Sequence, residues 1–355
     1  MIARSLFLLL LFTLSACQPG DDGLALQADY LKRLNGALDG AGVEPFDNKR
    51  LAQYRLPARR LRVSEISDIR ISLLDLLIDV RRCPDLQLLI SERNSILGKQ
   101  MQPSSRLGYE GDLLRAIDAC RVYLQTQPDQ SLNQTLATLQ AQKRDQLLQV
   151  FWNALNASPE FEHSLRFSQQ ALPVSATREN PAVQALAQLA QVGSQLPQQL
   201  PPATAQLDPL FFTLQADQQA PQLITSLLSL TDTLEQASTL LEQRLRKRPL
   251  CPIGKPTQRA RVMQNIFVKY YAGSLQPYLA TVSQQGTQWS ETLLQLASVD
   301  KIPPALHAYL QQLAGTDDSL WQGFQTANKR HVKAWQALLK SCAMAPGQSG
   351  WTDQP

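Results

Sequence analysis

From Leu223 to Leu241 the apolar side chains fall at steps of four, three, four, three and four: Leu223, Leu227, Leu230, Leu234, Ala237 and Leu241. That spacing gathers them on one face of an α-helix, whereas a strand would scatter them over both faces of a sheet. The run is shorter than an autonomous coiled coil requires, so it predicts an ordinary bundle helix. "RLRKR" at 244–248 sets cations at the negative end of the helix dipole, and Pro249 stops the helix.

The same period recurs from Leu24 onward, and alternating β-branched or aromatic runs are missing, which predicts an all-α, multi-helix bundle. Ser64 reads as the N-cap of a helix carrying Ile66, Ile69, Leu73, Leu76, Leu77 and Val80 on one stripe and ending in Arg81-Arg82. Pro84 suits the first turn of the next helix, with Gly98 closing it. Further helices are expected around 109–124, over 129–157, and at about 257–284 (kinked by Pro277), 287–298, 303–314 and 317–343, with Asp317 and Asp318 in the first turn of the last. The Pro- and Gln-rich stretch 172–209 reads as a break between two helical halves, 24–171 and 210–343, with a flexible tail at 344–355.

The N-terminus carries a separate message. Arg4, an apolar run from Leu6 to Leu14 and small residues before Cys17 have the layout of an export signal, too short to span a bilayer. Leu14-Ser15-Ala16-Cys17 looks like the lipobox of bacterial lipoproteins. That resemblance implies removal of residues 1–16, a diacylglycerol thioether and an acylated amino group at Cys17, and "QPGDDG" (18–23) as a tether from the membrane. Several acyl chains anchor stably where one does not. Gln18, where an Asp would retain the protein at the inner membrane, points to the outer membrane, facing the periplasm.

With Cys17 spoken for, Cys83, Cys120, Cys251 and Cys342 remain, in a compartment that favours disulfides. Of three pairings, Cys83 with Cys120 and Cys251 with Cys342 close each bridge within one half. The formal net charge of +4 falls to +3 when Arg4 leaves with the signal, too mild a field for nucleic acid.

No catalytic set emerges, and no cofactor or metal is expected. His163, His307 and His331 are far apart in sequence, which excludes a His-Glu-x-x-His zinc motif. Ser298 and Lys301 have the Ser-x-x-Lys spacing of penicillin-binding enzymes, but Pro303-Pro304 ends the helix there and the partner motifs are missing. "GQSG" at 347–350 lacks the second spacer of a nucleophile elbow. The acidic pairs Glu160 with Glu162 and Asp317 with Asp318 would serve glycoside hydrolysis only if the two carboxylates of a pair were held a short way apart across a cleft.

Two segments stand out. Asn94-Ser95-Ile96-Leu97-Gly98-Lys99 lies between the early cysteines, and Cys251-Pro252-Ile253-Gly254-Lys255 follows later. In these the chain resembles a bacterial lipoprotein family designated domain of unknown function 3080, a resemblance that brings no activity with it. Read from the residues, Asn94, Ser95, Lys99, Ser104, Ser105 and Arg106 would meet Lys255, Arg259 and Tyr270 in a polar pocket for an anionic group, or would cap helices. Arg55, Arg59, Arg60 and Arg62 would meet lipid phosphates, or pair with acids such as Asp68 and Asp75. The leading expectation is an anchored binding or scaffolding protein that engages an envelope protein or cell-wall component. The alternatives are an enzyme acting on wall or lipid at the 93–110/251–270 junction, and a carrier of a hydrophobic ligand.

Overall fold

The computed structural model describes residues 20–40, 42–67, 69, 73–128 and 130–351, together with the backbone but not the side chains of 73–75. Cys17 and the export signal lie outside them. The described residues form fourteen α-helices and no strand. In chain order these are α1 Gly23–Ala37, α2 Leu73–Asp79, α3 Pro84–Asn94, α4 Ile96–Lys99, α5 Pro103–Leu124, α6 Ser131–Ala157 and α7 Pro159–Leu165. There follow α8 Pro181–Gln195, α9 Thr204–Ala216, α10 Gln219–Lys247, α11 Gln258–Ile266, α12 Gln276–Ala297, α13 Pro304–Ala314 and α14 Leu320–Ser341.

The centre is α10, and its whole leucine seam is buried. Its N-terminal half is also buried on the opposite face, where Thr225, Ser226 and Ser229 lie inside the protein. Their hydroxyls are satisfied on backbone carbonyls, Thr225 on Ser168 O at 2.6 Å and Ser226 on Gln222 O at 3.0 Å, so small polar residues admit close neighbours without orphaned donors. Helices α14 and α1 pack along α10, and α12 packs on α8 and α13. A second, smaller core joins Leu86, Ile90, Leu113, Ile117 and Leu136 from α3, α5 and the start of α6. The two disulfides pair as expected, Cys83 with Cys120 and Cys251 with Cys342.

The division of the chain differs from the expectation. Most of 172–209 is helix α8 and the start of α9, and Val183, Leu186, Leu189 and Leu207 belong to the main core. The prolines sit where helices tolerate them: Pro181 opens α8 behind Asn180, whose side chain accepts from Val183 N at 3.2 Å. The main core therefore draws on both expected halves, from Tyr30 to Met344, and the smaller unit is the lobe around residues 76–139. Of the tail, Met344 is fully buried and the Trp351 ring meets Phe267 at 6.3 Å.

Local corrections follow the same logic. Ser64 caps no helix: residues 65–67 after it are not helical, its backbone exchanges two hydrogen bonds with the Asn153 side chain, at 2.9 and 2.7 Å, and the first described helical residue beyond it is Leu73. The helix from Pro84 breaks at Ser95 rather than running to Gly98, and α5 starts at Pro103 rather than near Tyr109. Ser319 caps α14, so Asp317 and Asp318 precede it. The expected pair 257–284 and 287–298 is one continuous rod, in which Phe267–Leu275 is wound as a π-helix. Pro277 offers no N–H and crowds the carbonyl four residues back, and the wider turn ahead of it relieves that contact. Gly286 does not break the rod: it is the place where the Trp321 ring approaches the helix, 2.3 Å from where a Cβ would stand.

Candidate functional site

The expected junction is divided between two places. In the 93–106 segment, Asn94 Nδ2 donates to Ile90 O of its own helix at 2.7 Å, and Ser95 Oγ accepts from Gly98 N at 3.0 Å as the cap of α4. Ser104 is buried and Ser105 half-buried in the first turn of α5. Arg106 bonds Glu110 at 2.9 Å, and Lys143 approaches the same carboxylate at 3.0 Å. Exposed Lys99 lines a groove of about 340 Å³ with Arg93, Arg106 and Asn153. By contrast Lys255 is exposed, Arg259 pairs with Asp39 at 2.7 Å, and Tyr270 lies under the Arg33 guanidinium at 4.3 Å. The groove of the first set contains none of the second. The groove of the first set is lined also by Val150 and Ala154 of α6, whereas Arg259 and Tyr270 lie on the rod that begins with α11.

The arginine cluster resolves around a carboxylate that sequence reasoning had placed elsewhere. Arg62, 2 % exposed, donates to Pro57 O, to Asn156 and to Glu162 Oε1 at 2.7 Å; Arg59 and Arg166 reach the same carboxylate at 3.0 and 2.9 Å. Burial alone would push the Glu162 carboxyl up, but Arg59 and Arg62 together outweigh it and hold it below its ordinary value. A cleft of about 520 Å³ lies over these groups, lined also by Arg55, Leu56 and Phe167. Arg60 is exposed. Asp68 and the side chain of Asp75 lie outside the described residues. So part of this cluster is internal: Arg62 and Glu162 tie the 57–62 turn to α6 and α7.

A third cleft, of about 700 Å³, opens beside Asp39, between the turn after α1, the last turns of α10 and Arg330 of α14. It holds Arg244, Lys247 and Arg248, the basic run read above as a dipole complement.

The remaining candidates are engaged structurally. Ser298 Oγ donates to Gln295 O at 2.7 Å, and Lys301 Nζ reaches Asp145, so the Ser-x-x-Lys pair is spent on a helix end. His163 Nε2 meets Asp217 O at 3.0 Å, and His307 is exposed. His331 is the surprise. It is fully buried, with Nε2 at 2.7 Å from Tyr30 Oη, which also accepts from Trp335 Nε1 at 2.9 Å, and Tyr271 crosses the ring edge-on at 4.8 Å. Burial disfavours the imidazolium and lowers its pKa to about 3, so the ring is neutral at ordinary pH. Only the i, i+4 pair His331/Trp335 on an apolar helix stripe hinted at it, and its partner Tyr30 lies 301 residues away.

Among the described residues no group of three or more His, Cys, Asp or Glu is arranged to hold a metal, and no helix is long and apolar enough to cross a membrane. No curated protein and no solved structure matches the chain. The family described as protein of unknown function DUF3080 matches over residues 27–346, nearly the whole body and both disulfides, and the chain belongs to it.

Proposed function

We propose that this protein is a lipid-anchored lipoprotein of the bacterial envelope, held at the outer membrane and facing the periplasm, whose helical body binds or scaffolds an envelope protein or a cell-wall component. One observation carries the reading. Five cysteines are present, four are consumed by two bridges, and the fifth is Cys17, at the end of Leu14-Ser15-Ala16-Cys17 behind an apolar run. The body begins close behind it: Asp21 accepts from Ser175 N and Oγ at 2.6 and 2.7 Å, and Asp22 caps α1. Only residues 18–20 then separate the lipid from the fold, about 14 Å of fully extended chain between Cys17 and Asp21. An anchored body on so short a tether acts on what lies next to its membrane.

Metabolic labelling with an alkyne fatty acid, followed by membrane fractionation, tests the anchor. The wild-type protein takes label and stays with the outer membrane, and Cys17→Ser loses both. A Cys17→Ser protein still labelled and membrane-bound overturns the reading. Co-sedimentation with purified sacculi, against a heat-unfolded control, tests the cell-wall component as the ligand.

A further inference from the structure

The cleft at the end of α10 is under-neutralised. Its cations are Arg244, Lys247, Arg248 and Arg330, with Arg259 of α11 behind Asp39; its acids are Asp39 and Glu235, with Glu242 beside Arg330. Glu242 is committed to Arg330, meeting Nε and Nη2 at 2.9 Å each, with Thr239 accepting a further bond at 3.2 Å. Asp39 is committed to Arg259 at 2.7 Å. Five cations face three carboxylates, two of which are already taken.

The shortfall falls on Arg244. This side chain is 9 % exposed, its Nη1 stands 3.8 Å from Asp39, and its Nε has no hydrogen-bond partner. A buried guanidinium with an unmet donor is costly, because the desolvation is not returned by an acceptor. Burial, then Arg259 and Arg248 beside it, pull its proton affinity below the ordinary value, and Asp39 offsets this only in part. Lys247 and Arg248, both exposed on the same wall, have no carboxylate partner among the described residues. Their place near the helix C-terminus accounts for Lys247 and Arg248 as a dipole complement. It does not account for a buried arginine in the wall of the cleft whose Nε finds no acceptor.

We infer that this cleft is an anion-binding site for a phosphate-bearing ligand, gripped by the Arg244 fork with Lys247 and Arg248 closing over it. Arginine presents paired donors in the plane that a phosphate's oxygens accept, and lysine adds a mobile charge. The volume of about 700 Å³ leaves room for more than the phosphate itself, within the range of about 300–1,000 Å³ usual for small-molecule sites. The site stands whether or not Cys17 is acylated.

The test uses the full-length protein in detergent, titrated with inorganic phosphate against chloride at matched ionic strength, with thermal unfolding and calorimetry as readouts. Phosphate should raise the unfolding temperature and bind one per chain. Arg244→Gln should abolish both effects. Lys247→Gln with Arg248→Gln, on the exposed wall, should unfold normally in chloride and weaken phosphate by about tenfold or more; this variant carries the test if Arg244→Gln does not fold. No phosphate-specific effect in the wild type, or the same effect in the variants, overturns the site. A second arm finds the source of the phosphate: displacement of bound phosphate by phosphatidylglycerol vesicles assigns a lipid headgroup, and displacement by glycerol 3-phosphate alone assigns a soluble ester.

Discussion

The small lobe and the main body solve the same problem by opposite means. The lobe's core is a small, mostly aliphatic cluster drawn from α2, α3, α5 and the start of α6, clipped by Cys83–Cys120. It leaves Ile78, Leu88, Ile96, Leu97, Val122 and Tyr123 on the surface, with Ile96 and Leu97 81 and 82 % exposed. The body buries enough apolar surface to take polar groups inside: the Tyr30–His331–Trp335 chain, the Arg62–Glu162 pair, and Asn180 donating to Gln285 Oε1 at 3.1 Å. A small core covers a lower fraction of its own chain and needs a covalent staple. A large one can spend stability on internal hydrogen bonds that fix a unique packing.

Helix α6 joins the two, with Leu132, Leu136 and Leu139 in the lobe and Leu147 to Leu155 in the body. The largest effect should therefore come from its body end. Trp152 is fully buried and donates to Asp300 O at 2.8 Å; Trp152→Ala should cost about 3–5 kcal/mol and shift the denaturant midpoint of both regions together. Removing the lobe's staple should act locally. Cys83→Ala with Cys120→Ala should remove up to about 4 kcal/mol in the chain-entropy account of a loop of this size. Hydrogen exchange should then show α3 and α5 losing protection while α10 keeps its own; equal loss in α10 would erase the distinction between the regions.

Acid separates them more gently. The folded His331 takes up its proton near pH 3, whereas an unfolded one does so near 6.5. Below 6.5 the unfolded state thus binds the extra proton, and the stability present above that pH is lost as pH falls toward 3. The slope reaches about 1.4 kcal/mol per pH unit. Unfolding curves from pH 7 to 4 should show the body weakening by that one-proton slope, and His331→Gln should flatten it. An unchanged slope in the variant would mean that other groups carry the acid response.

Periodicity made the helices legible and proximity along the chain made the disulfides legible, because both are local properties. The same habit misplaced the division. Pro181 and Pro209 look like breaks in sequence, yet one opens a helix and the other lies inside α9. Ser64 has the chemistry of a cap but is claimed by Asn153, 89 residues on. Of the expected site, Arg259 alone led to the under-neutralised cleft, through Asp39, a carboxylate distant in sequence. Groups brought together by tertiary packing leave no spacing to read.

The hydrogen bond from Tyr30 to His331 sets an order of events. The residues of the lobe's own core lie within 76–139, so that core can close as soon as that stretch of chain is available. Helix α1, first of the body to emerge, gains Tyr30's polar partners only when His331 and Trp335 arrive. Contacts of such long sequence separation form slowly, because closing the loop must precede any reward from the contact. A chain delivered from its N-terminus would thus hold a closed lobe core and an unfinished body until its last helix is in place.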